Sequence, residues 1–69
     1  MRQLKKELWP YKVRYDVDQL DIKIIEVENW LGENIGSFKD RWNVVYQFSH
    51  TDFYFRHGKD ATMFALRWQ

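Results

Sequence analysis

The sequence predicts an α+β domain: a three-stranded sheet with two helices on one face, in the order β-α-β-β-α. Three observations carry this. Large residues recur at every second position in Trp42, Val44, Tyr46 and Phe48, and again in Phe53 and Phe55, as in strands with one covered face. Leu20, Ile24, Val27 and Leu31 stand at i, i+4, i+7 and i+11, the spacing of one helical stripe. After a break at Gly58, the run from Ala61 to Trp68 holds no Pro or Gly and four types of good helix former, Ala, Met, Leu and Arg.

Sixty-nine residues make one domain, because a chain this short builds a single core. That core must be dense. Ordering the chain costs roughly 100 kcal/mol, at about 1.5 kcal/mol per residue, so a small fold without staples needs large apolar side chains. An aromatic content of 19%, with four Trp, provides them. The lack of Cys excludes disulfides and thiolate metal sites and suits a reducing interior. Eleven basic and ten acidic residues leave a net charge of +1, so any electrostatic argument rests on position and not on totals. No apolar run is long enough to span a bilayer, and the basic start Met1–Glu7 has no apolar segment behind it to make a signal peptide. A soluble, cytoplasmic protein is expected.

Taken in order, residues 1–8 are polar with Leu4 and Leu8 at helical spacing, and read as a flexible arm or a single turn. From Trp9 to Tyr15 the odd positions Trp9, Tyr11, Val13 and Tyr15 are apolar while Lys12 and Arg14 point the other way, giving the first strand. Pro10 lacks an N–H and belongs at the strand's start or on an edge. Asp16 and Asp18 are N-cap candidates for a helix from about Asp18 to Asn34. Leu20, Ile22 and Ile24 also alternate, so a strand over 18–25 stays open, although the spacing of Val27, Trp30 and Leu31 favours the helix. Gly32 and Gly36 mark its end, with Gly36 the better residue to follow the last turn because Ile35 can fold back on it. Ser37–Arg41 forms a polar connection with Phe38 tucked inward, and Ser49–Asp52 suits the hairpin loop. Both helices should cover the face to which the aromatic rows point.

Several of these stretches resemble a known pattern. Trp30-Leu31-Gly32-Glu33-Asn34-Ile35-Gly36, Trp42, the aromatic strand at 53–55 and Asp60-Ala61-Thr62-Met63-Phe64-Ala65-Leu66-Arg67-Trp68 are similar to small uncharacterised proteins of tailed phages, marine and cyanobacterial ones included. The resemblance covers roughly the last forty residues and leaves the first strand unmatched. It implies a viral origin and brings no activity, so it assigns no functional residue.

Three constellations could carry a function. On the sheet face turned away from the aromatic rows, Lys12, Arg14, Arg41, Asn43, Gln47, Tyr54 and Arg56 place basic groups beside hydrogen-bonding side chains and one aromatic. Such a face can bind single-stranded nucleic acid, bases stacking while cations meet phosphates. The plainer reading is a solvated face whose charges discourage edge pairing.

The second constellation is surplus apolar surface. Ile22, Ile25 and Trp30 fall off the first helix's stripe, and Met63 and Leu66 fall off the stripe of Ala61, Phe64, Ala65 and Trp68. A chain this short cannot bury two helices all round, so these five suggest self-association or docking on a host protein. The plainer reading is a wide core-facing stripe.

Catalysis is the third and the least supported. His50, Asp52, His57 and Lys59 lie near the two ends of one strand, roughly 20 Å apart, too far for joint action. Glu26 and Glu28 point in different directions on a helix, and no phosphate loop, nucleophile motif or metal spacing is present. The expectation is a non-enzymatic protein-interaction module with no cofactor or metal, working on itself or on a host protein away from any membrane. The alternative is a nucleic-acid-binding module using Lys12, Arg14, Arg41, Tyr54 and Arg56.

Overall fold

The computed structural model describes residues 7–17 and 21–68. Its elements are β1 (Tyr11–Tyr15), α1 (Lys23–Asn34), β2 (Trp42–Tyr46), β3 (Thr51–Phe55) and α2 (Gly58–Trp68), the predicted order. The sheet runs β1-β3-β2 with both pairings antiparallel. β1 and β2 are therefore parallel to one another with β3 between them, and their connection carries a helix.

Both helices lie on one face, and one core joins them to the sheet. Ile24, Val27 and Leu31 of α1, with Ile35 just past its end, meet Trp42, Phe53 and Phe55 of the sheet and Ala61 and Phe64 of α2. Phe53, Phe55 and Phe64 are fully buried, and burying each contributes about 2–3 kcal/mol. Their rings meet at tilted angles, 4.9 Å between the centroids of Phe53 and Phe64 and 5.4 Å between those of Phe55 and Phe64. Tyr15 closes the other end edge-on to Phe64 and Trp68.

The helix ends follow local chemistry. At the start of α1 the Asp21 carboxylate accepts the Lys23 N–H at 2.9 Å, and the Asp21 carbonyl accepts that of Ile24. The cap is thus supplied by Asp21, where Asp16 or Asp18 was expected: Asp16 instead pairs with Arg14, and Asp18, like Leu20, lies outside the described residues. Ile22 is already helical in backbone, which decides 22–25 for helix over strand. At the other end the N–H groups of Ile35 and Gly36 both reach the Leu31 carbonyl, and Gly36 adopts φ +146°, open to glycine alone without strain. A Cβ there would stand 2.5 Å from Arg41 Cγ. α2 starts at Gly58, three residues before the expected Ala61, because the His57 carbonyl accepts the N–H groups of Asp60 and Ala61.

Four further expectations need correction. Trp9 is buried, but it precedes β1 and stands apart from the main core, since the strand's alternation begins only after Pro10. Phe38 is 48% exposed, lying against Trp42 at the surface. The row that starts at Trp42 fades outward: Tyr46 is 42% exposed and Phe48, beyond the strand, is 99% exposed at the hairpin tip. The loop is Gln47–His50, closed by a bond from the Gln47 N–H to the His50 carbonyl, so Thr51 and Asp52 belong to β3 and are buried. Of the expected arm, residues 1–6 lie outside the described residues, and Glu7 and Leu8 form an exposed turn.

The β2 edge of the sheet is blunted. The hairpin bond turns the backbone polar groups of Trp42, Val44 and Tyr46 away from β3. There the Trp42 carbonyl accepts the Lys39 N–H at 2.7 Å, and the Val44 N–H donates to the Asn43 side chain at 2.8 Å. β1 forms the opposite edge, with Pro10 immediately before it as expected. These devices discourage addition of a further strand at β2.

Candidate functional site

The five off-stripe apolar residues separate into two groups. Ile22 is 72% exposed, Ile25 58%, Met63 44% and Leu66 82%, so four of them form surface on the helices. Trp30 does not. It is half-buried between the helices, edge-on to Phe64 and Trp68, because it projects sideways from α1 toward α2.

The charges around these four aliphatics differ between the helices. α1 exposes Glu26 and Glu33 with Lys23, whereas α2 exposes Lys59 and Arg67 and buries its one carboxylate, Asp60. The layer therefore has an acidic side and a basic side with apolar residues on both.

On the opposite face of the sheet, register aligns Lys12, Tyr54 and Asn43 in one row and Arg14, Asp52 and Val45 in the next. Lys12, Arg14, Asn43 and Tyr54 are thus brought together as expected. Arg41 is not: its guanidinium reaches Asp60 at 3.0 Å, and its stem packs on Gly36. Gln47 lies in the hairpin loop. Arg56 follows β3 and lies 4.9 Å over the Trp9 ring, which with Pro10, Lys12 and Tyr54 lines a concavity of about 210 Å³.

Asp52 was unforeseen in the middle of this face. It is 5% exposed, with His50 Nε2 3.5 Å from Oδ1, an oxygen left without a hydrogen bond. Burial, and then the Asp52 charge, push the Tyr54 phenol above its usual pKa. His50 directly precedes β3, so extending the strand's alternation by one residue would have set it beside Asp52. Arg14 bonds Asp16 at 2.7 Å, which draws it toward the strand's end. The basic groups of this face are accordingly fewer than the sequence suggested, and a buried carboxylate lies among them.

Across the sheet's β2 side, the Tyr46 hydroxyl donates to Glu28 Oε2 of α1. Burial, this bond and the Glu28 charge together raise the Tyr46 pKa to about 12. Among the described residues no three His, Cys, Asp or Glu side chains gather as a metal ion would require, and no helix is long and apolar enough to cross a membrane. Comparison with protein-family models, with curated proteins and with solved structures returns no match.

Proposed function

We propose that this chain is a small non-enzymatic interaction module that docks through the outer surface of its helix layer on a second copy of itself. The observation that carries the reading is the exposure of Ile22, Ile25, Met63 and Leu66 beside a core that is already filled. Large aliphatics kept in water on two adjacent helices give up solvation free energy that a partner would recover. The charges favour a copy of the same chain. A two-fold axis can set the Glu26 and Glu33 side of one α1 against the Lys59 and Arg67 side of the other α2, and the opposite contact follows by symmetry. The viral origin implied by the resemblance, and action in the host cytoplasm, belong to this proposal and rest on the sequence alone.

Methyl signals followed on dilution test it. Ile22, Ile25, Met63 and Leu66 should shift together with concentration, and less so at high salt, which screens the contacts of Glu26 and Glu33 with Lys59 and Arg67, while Val27 and Leu31 stay in place. Shifts confined to other residues would move the interface elsewhere.

A second reading has one observation in its favour. Tyr54, with Lys12 and Arg56 around the concavity over the buried Trp9, places an aromatic ring beside cations as single-stranded nucleic acid requires. Asp52 opposes it, since a carboxylate in that face repels phosphates. Titration with a mixed-sequence single-stranded oligonucleotide at low and near-physiological salt decides: saturable, salt-sensitive binding that Arg56→Ala abolishes would establish this reading.

A further inference from the structure

Another concavity lies where α1 passes the β2 edge. Glu28, Phe38, Trp42, Val44 and Tyr46 line it, around a volume of about 250 Å³. Three of the five are aromatic, and the one charged group is a carboxylate. The arrangement is held from several sides. The Trp42 indole N–H donates to the Gly36 carbonyl at 2.9 Å, Phe38 leans on Trp42 with centroids 5.0 Å apart, and the Tyr46 hydroxyl is bound by Glu28.

Sequence order alone would not favour this. Phe38 and Tyr46 remain 48% and 42% exposed although each is large and apolar enough to pack inward. Aromatic faces carry negative potential, and a carboxylate among them adds to it, so the chemistry matched by such a wall is a bulky cation with a poorly hydrated surface. Phe38 already attracts a cation of a smaller kind, since Lys39 Nζ stands 5.6 Å from its ring centroid.

We propose that Phe38, Trp42 and Tyr46, with Glu28, form a recognition site for an alkylammonium head group of trimethylammonium size. The exposed Phe38 and Tyr46 rings flank the methyl groups over the buried Trp42, and Glu28 balances the charge. The concavity is large enough for that head group. The site is separate from the helix surface assigned to self-association and does not depend on it.

The test is a titration of the intact chain with choline and with its neutral isostere 3,3-dimethylbutanol, read from the chemical shift of the Trp42 indole N–H. A third arm uses a short peptide bearing trimethyllysine. Choline should bind saturably, the neutral isostere several-fold more weakly, and Phe38→Ala and Glu28→Gln should each weaken choline by about tenfold. Phe38 is half-exposed, so Phe38→Ala should leave the fold intact, as the unshifted Phe53 and Phe64 signals would verify. Tighter binding of the trimethyllysine peptide than of choline would assign the head group to a protein side chain, and the reverse to a free small cation; either supports the site. No saturable shift with choline or peptide, equal affinity for choline and 3,3-dimethylbutanol, or undiminished binding by folded Phe38→Ala would overturn the proposal.

Discussion

Arg41 Nη2 donates to Asp60 Oδ2 at 3.0 Å, tying the loop before β2 to the first turn of α2. The Asp60 side chain is 4% exposed and that of Arg41 35%, so the pair is shielded from water far more than an ordinary surface pair. Asp60 also lies at the positive end of the α2 dipole, where a carboxylate is favoured.

Removing Arg41 leaves that buried carboxylate with one fewer partner. Arg41→Ala should cost about 2 kcal/mol, above the fraction of a kcal/mol typical of exposed pairs. The urea midpoint of Arg41→Ala against wild type checks it, and an unchanged midpoint would mean that the pair adds nothing net.

The two glycines near the end of α1 should respond with opposite sign. Gly36 has φ +146°, and a Cβ would collide with Arg41 Cγ, so Gly36→Ala should destabilise by about 2 kcal/mol or more. Gly32 lies inside the helix with nothing within 4 Å of an added Cβ, so Gly32→Ala should stabilise by about 0.5–1 kcal/mol. Thermal melts of both variants measure this.

Tyr46 makes stability pH-dependent in the alkaline range. Its folded pKa of about 12 exceeds the ordinary phenol value of 10.0, so between these values the folded state keeps a proton that the unfolded state has lost. The contribution is fully present below about pH 10 and is lost as the pH rises toward about 12. Tyr46→Phe removes the titrating group and should flatten this part of the profile. Denaturant melts of both proteins at about pH 8 and about pH 11 compare the slopes; parallel slopes would contradict the assignment.

What could be read from the sequence was whatever periodicity encodes. The stripe Ile24, Val27, Leu31 and the alternation Phe53, Phe55 led directly to α1, β3 and the core. Gly36 was legible because a helix end needs a residue free of a Cβ. Alternation misled at its margins, at Trp9 and Phe48, where large residues continue the pattern after pairing has stopped. Contacts between distant residues were not legible. Arg41 with Asp60, Arg56 with Trp9 and Tyr46 with Glu28 depend on which strand lies beside which, and no local spacing encodes the order β1-β3-β2. The same limit applies to Trp30, whose off-stripe position signals the neighbouring helix as readily as it signals a partner.

Sedimentation equilibrium over a wide concentration range, on wild type and on Leu66→Asp, tests self-association most directly. Leu66 is 82% exposed, so the substitution should leave the fold and its circular dichroism unchanged. The account predicts a wild-type mass rising toward that of a dimer and a variant that stays monomeric. A wild-type chain that remains monomeric at every concentration, or a variant that dimerises as well as wild type, would contradict it.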